Sequence, residues 1–178
     1  MAANISPVSA SPLVRRATVA DLPALLALVR RVVPLMQASG NFQWSDDYPN
    51  EAVFTADIAQ NQLWVAELSG AVAGVAALTQ DQDAEYAQAD WDVTQSALVT
   101  HRLAVAPAAQ GHGVALALMT QAETQARAQG LRFLRVDTNS ENAATQRLFP
   151  KLGYRFAGEI TLAFRPGLRF FCYEKRLE

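Results

Sequence analysis

The stretch Gln110-Gly111-His112-Gly113-Val114-Ala115 sets two glycines around a histidine, where an apolar run ending at Pro107 gives way to helix-like sequence. Glycine costs conformational entropy unless a bare backbone is needed. Four chemistries fit such a turn to different degrees. A phosphate-binding P-loop needs Lys and then Ser or Thr after the second glycine; Val114 and Ala115 stand there instead. A dinucleotide fingerprint needs a third small residue, where this chain has Leu116. A glycine-rich helix start without a ligand is the plain alternative. The fourth is an anion cradle, in which the N–H groups from Gly111 to Ala115 point outward at a helix N-terminus and meet a phosphate.

Other reactive groups are few. His101 and His112 are the two imidazoles, and neither sits in a Cys or His cluster, so no metal is expected. Cys172 is the single cysteine. It excludes an intrachain disulfide, suits a reducing, cytoplasmic setting, and reads as a buried strand residue. Acidic and aromatic groups gather in two loops, with Trp44, Asp46, Asp47 and Tyr48 in one and Asp81, Asp83, Glu85, Tyr86, Asp90, Trp91 and Asp92 in the other.

These groups need elements to hold them. Leu13–Thr18 reads as a strand. Asp21 and Pro23 open a helix with apolar residues at 22, 25, 26, 29, 32 and 33, which Pro34 should kink or end. A loop follows, then a short helix over 51–60. Two strands, 62–68 and 71–78, meet at Ser69-Gly70 as an antiparallel hairpin. A polar connection over 80–95 leads to a strand over 96–105. The helix after Gly113 runs to about Gln129, with Gly130 past its end. A strand over 131–138, a helix capped by Asn139 or Ser140, and strands over 154–160 and 167–177 complete the chain. The segment from Ser96 to Asp137 should be a right-handed parallel crossover. The expected fold is therefore α/β (α+β), a mixed and mostly antiparallel sheet of about seven strands with helices on both faces.

Composition bounds the rest. A chain of 178 residues, 51% hydrophobic and 18% charged, suits one domain over 13–178. Residues 1–12 lack the basic and apolar regions of a signal peptide and read as a flexible tail. The net charge of -2 supplies no field for nucleic acid, and no segment reaches the ~18 apolar residues of a membrane span.

Together the segments resemble the GNAT superfamily of acyl-CoA-dependent N-acyltransferases. Gln110–Ala115 fits its Gln/Arg-x-x-Gly-x-Gly/Ala signature, Leu103–Pro107 fits the strand before it, and "NSENAATQRLFPKLGYRFAG" is similar to its Asn-x-x-Ala-x-x-Leu-Tyr-x-x-x-Gly-Phe segment. The resemblance implies acetyl-CoA as co-substrate, with the diphosphate on Gln110, Gly111, His112, Gly113, Val114 and Ala115. The pantetheine would lie along Leu103, Ala104 and Val105, and an N–H near Val105 would polarise the thioester. His112, between the glycines, either contacts phosphate or faces solvent. Asn142 matches the family's helix-start asparagine near the pantetheine, or serves ordinary helix-start chemistry.

The implied acceptor is a primary amine of a small molecule or peptide. Freeing its lone pair at pH 7 costs about 4.6 kcal/mol for a lysine-like amine, so a base matters. His101 is the first candidate, because strand alternation puts it on one face with Leu103 and Val105; some family members carry a working histidine at this place. Asp137 is the second. Trp44, Tyr48 and Trp91 would line the acceptor site, or simply anchor their loops. The chain departs from the family at Phe149, where the tyrosine acid is absent; its ring can still pack beside the pantetheine. That absence keeps a second reading alive, a non-catalytic acyl-CoA-binding sensor or scaffold. Homodimerisation through exposed strand edges stays open.

Overall fold

The computed structural model describes residues 11–178; the expected tail falls mainly on residues 1–10, outside the described residues. The elements are β1 (Leu13–Arg16), α1 (Leu22–Ala38), α2 (Glu51–Ala59), β2 (Leu63–Leu68), β3 (Ala71–Thr79), β4 (Ala97–Val105), α3 (Val114–Ala128), β5 (Phe133–Asn139), α4 (Ala143–Lys151), β6 (Arg155–Ile160) and β7 (Phe170–Arg176). They form one seven-stranded sheet, ordered β1-β2-β3-β4-β5-β7-β6. Only β4 and β5 run parallel; every other neighbouring pair is antiparallel. The β2–β3 hairpin turns at Ser69 and Gly70, both at positive φ, as a tight hairpin requires.

Residues paired across strands share a face. Leu78, Thr100, Val136 and Tyr173 are linked by successive pairings and lie on one side of the sheet. There α3 and α4 pack. A Cβ on Gly74 would sit 2.5 Å from Val114 Cγ1 and 3.1 Å from the Ala104 carbonyl, so a missing side chain lets the first turn of α3 close on the sheet. Phe149 of α4 packs against Tyr173, ring centroids 5.3 Å apart and tilted by 56°. The other face carries Ala77, Val99, His101, Arg135, Asp137 and Cys172. It is covered by α1, α2 and the connection over 80–96, whose Tyr86 joins Val99 and Cys172 in a second apolar cluster.

Two features of β4 open the sheet at its centre. Its register on β3 passes from His101–Ala77 to Ala104–Val75, three residues against two. Arg102, at φ 54, occupies the resulting bulge. The extra residue reverses the alternation, so His101 shares a face with Ala104 and not with Leu103 and Val105, contrary to the sequence expectation. In addition, β4 and β5 pair only as far as Thr100–Val136, after which they part.

Other expectations also change. Helix α1 does not end at Pro34 but runs through it to Ala38, and α4 likewise includes Pro150. Pro34 and Arg30, whose carbonyl loses its bond, are both exposed, so water replaces the missing donor. Asp21 does not cap α1. Its carboxylate turns back to the Thr18 N–H at 2.8 Å and to both terminal nitrogens of Arg15. The cap of α4 is Asn142, whose side chain accepts from the Thr145 N–H, while Asn139 ends β5.

Candidate active site

Where β4 and β5 part, a cavity of about 480 Å³ opens, and its lining comes from both faces of the sheet. One end is the turn before α3. Gly111 and Gly113 sit at φ 79 and 78, and a Cβ on either would meet nothing within 4 Å, so the main chain is open to the cavity. The first bond of α3 runs from the Ala117 N–H to the Gly113 carbonyl. The N–H groups of Gly113 to Leu116 precede it and have no backbone acceptor among the described residues, which makes this end a donor cradle. Further in, the Ala106 N–H donates to Ala73 on β3 at 2.7 Å. Alternate N–H groups of a strand point to opposite sides. The N–H groups of Leu103 and Val105 therefore face the gap that β5 has left.

At the junction stand Thr100, Trp44 and Asp137, which line both this cavity and a smaller one of about 50 Å³ beside it. The Thr100 hydroxyl is buried with no hydrogen-bond partner among the described residues. Asp137 accepts a bond from the Tyr86 hydroxyl at 2.5 Å. Burial pushes the Asp137 carboxyl above the usual range, while the charge of His101 and the Tyr86 bond pull it back. Burial, and then Asp137 itself, raise the Tyr86 phenol, so it stays a donor. Arg102 is held by Asp57 through two bonds of 2.8 and 2.7 Å and reaches the Tyr48 hydroxyl at 3.3 Å. This arrangement can position an amine beside a carboxylate, with backbone donors across the gap.

The structure brings together most residues singled out from sequence. Leu103, Ala104, Val105, Gln110, Gly111, Gly113, Val114, Ala115, Asn142 and Phe149 line the large cavity. His101 and Tyr48 line the small one. His112 lies outside both; its exposed ring has Nδ1 3.0 Å from the Gln110 carbonyl oxygen. Trp91 also lies outside both. Its indole N–H donates to the Tyr86 carbonyl at 2.8 Å, and its ring lies under the buried Arg135 guanidinium, so it anchors the 80–96 connection. Phe149 is buried, with its ring among Tyr154 and Tyr173. The Tyr154 phenol is not in the cavity, and burial raises its pKa. Burial likewise raises the Cys172 thiol, with Asp137 adding to it, which removes it as a nucleophile.

Sequence reasoning passes over Arg102, Asp57 and Arg135, while Tyr86, one of the loop aromatics it names, acts here through its bond to Asp137. Two carry a signal. Asp57 falls at i+3 from Phe54, on the buried stripe of its helix, and Arg135 alternates with Asp137 along a strand. A charge at an inward position marks a paired group. Among the described residues, no cluster of three or more His, Cys, Asp or Glu side chains is placed to hold a metal ion. No described helix is long and apolar enough to cross a membrane.

A model of the Acetyltransferase (GNAT) family matches residues 29–154, most of the chain. A GNAT-family acetyltransferase from Streptococcus agalactiae superposes with a TM-score of 0.76 at 25% identity, covering 94% of this chain and 96% of that one. The ribosomal-protein-alanine N-acetyltransferase of Brucella melitensis gives 0.66 at 25% identity, over 93% and 99%. The Salmonella typhimurium acetyltransferase yncA, solved with its cofactor acetyl-CoA, gives 0.70 at 22% identity, over 94% and 95%, and shares the fold. No curated protein matches the chain.

Proposed function

The chain belongs to the GNAT family of acetyltransferases, and we propose that it moves an acetyl group from acetyl-CoA to a primary amine by direct attack in a ternary complex. The observation that carries this reading is the cavity itself. It starts at a cradle of main-chain donors, follows unpaired N–H groups of β4, and ends at a carboxylate. The residues present suit CoA. Open glycines at positive φ admit a diphosphate, and a strand edge without a partner admits the amides of a pantetheine. When bound, acetyl-CoA would supply a thioester at whose carbonyl carbon nitrogen replaces sulfur, the nitrogen giving its second proton to water and the departing thiolate taking one back from water.

The chain's own groups do the rest. The Val105 N–H stabilises the oxyanion. An amine arriving as ammonium must lose a proton, and Asp137 receives it because it stands where the two cavities meet. His101, beside Asp137 on the same face, passes the proton outward. Phe149 supplies an apolar wall and no acid, so the thiolate leaves unaided; a thiol of pKa about 8.5 tolerates this near neutrality.

Release of free thiol, measured across polyamines, aminoglycosides, amino acids and peptides, tests the reading. Turnover with at least one class is expected. CoA binding without turnover on any acceptor would overturn it in favour of a sensor or scaffold.

A further inference from the structure

We infer that the acceptor amine carries its own anionic group, a carboxylate or a phosphate, and that Arg165 is the residue that reads it. The inference rests on the small cavity being the acceptor end of the proposed site. That cavity is lined by Tyr48, Asp83, His101, Arg102, Asp137 and Arg165. Its two guanidinium groups differ in how they are engaged. Arg102 is spent, its Nε and one terminal nitrogen on Asp57 and the other terminal nitrogen toward Tyr48. Among the described residues, no carboxylate pairs with Arg165 and its side chain makes no hydrogen bond. It is half-buried, with its guanidinium carbon 4.4 Å above the Tyr48 ring and 5.6 Å from the Phe164 ring.

Stacking fixes the plane of a guanidinium and leaves its N–H edge free. That edge is the geometry that takes a carboxylate or a phosphate through two parallel bonds. Apart from the Tyr48 phenol, the other ionisable groups in the cavity are the carboxylates of Asp83 and Asp137 and the imidazole of His101, which faces Asp137. The cavity is thus bipolar, with acids to meet an ammonium and one oriented, unpaired cation to meet an anion. A plain alkylamine would use only the first half and leave the guanidinium unpaired. A volume of about 50 Å³ requires the two charges of the acceptor to lie a few bonds apart.

The test compares kcat/KM for matched acceptors: an amino acid against its carboxamide, and phosphoethanolamine against ethanolamine. Each pair is assayed with wild type and with Arg165→Met, which keeps an apolar stem over Tyr48. Wild type should favour one anionic partner over its neutral match by on the order of 10- to 100-fold. The favoured pair tells carboxylate from phosphate. In Arg165→Met that ratio should fall to near one, with the thermal melt unchanged as a check on folding. Equal use of charged and neutral amines by wild type, or a preference that survives in Arg165→Met, overturns the inference. Turnover without anion preference sinks this inference alone, whereas absence of turnover on every amine sinks the transferase reading beneath it.

Discussion

The two ends of the cleft are built from different material. At the turn before α3 the groups facing the cavity are main-chain N–H donors, exposed by two glycines at positive φ and placed by one short segment. At the acceptor end they are side chains from distant segments. Asp83 comes from the 80–96 connection, His101 and Arg102 from the β4 bulge, Asp137 from β5, and Arg165 from the β6–β7 connection, while Asp57 of α2 and Tyr86 hold Arg102 and Asp137 from outside the cavity. A backbone cradle needs only local conformation, so it tolerates change around it. A side-chain constellation needs every contributing segment in register. On the proposed reading, the first end would serve a cofactor common to many acceptors, and the second is where specificity has room to vary.

That contrast can be broken from either side. The largest effect should come from Arg135→Ala. Arg135 is fully buried, paired with Glu174 at 2.9 Å and bonded to the Asp92 carbonyl at 2.7 Å, so its loss strands buried partners and frees the 80–96 connection. A loss of about 3–5 kcal/mol is expected in a denaturant melt, with CoA affinity less affected than turnover.

Next is Asp137→Asn, which should lower kcat by about 100-fold while calorimetry shows CoA binding unchanged. The pH dependence sharpens this assignment. Burial raises the Asp137 carboxyl above its unfolded value. Its ionisation therefore costs stability, which is greatest below the unfolded pKa and declines as pH rises through the folded one. Activity has the opposite sense, falling as pH drops through the same folded value. The Tyr86 bond pulls that value down, so Tyr86→Phe should move the acid limb of the pH–rate profile to higher pH.

Gly74→Ala attacks the other end without touching the cavity. Its Cβ would force Val114 and the first turn of α3 off the sheet. A destabilisation of about 1–3 kcal/mol is expected, together with weaker CoA binding. The smallest effect has the opposite sign. Thr100→Val removes a buried hydroxyl that has no partner among the described residues and should raise Tm by about 2–4 °C.

The same contrast explains which parts of the molecule are legible in its sequence. Gly111 and Gly113 announce themselves because positive φ restricts residue type at a single position. The strands are legible because periodicity and turn residues are local. The bulge at Arg102 is not, since nothing in "THRLAV" distinguishes it from a regular strand, and overlooking it puts His101 on the wrong face. Trp91 looks available to a ligand because it is an aromatic in a loop. Its actual partners, Tyr86 and Arg135, lie 5 and 44 positions away in the chain. Pro34 reads as a residue that kinks or ends its helix, but the helix passes through it on an exposed face where the Arg30 carbonyl reaches water.

The central claim is that the open glycine turn receives the diphosphate of CoA. Isothermal titration of CoA into wild type and Gly113→Trp tests it most directly. The account predicts binding by wild type and a loss of at least about 100-fold in Gly113→Trp, whose indole would fill the cradle. No binding by wild type, or equal binding by both proteins, would contradict it.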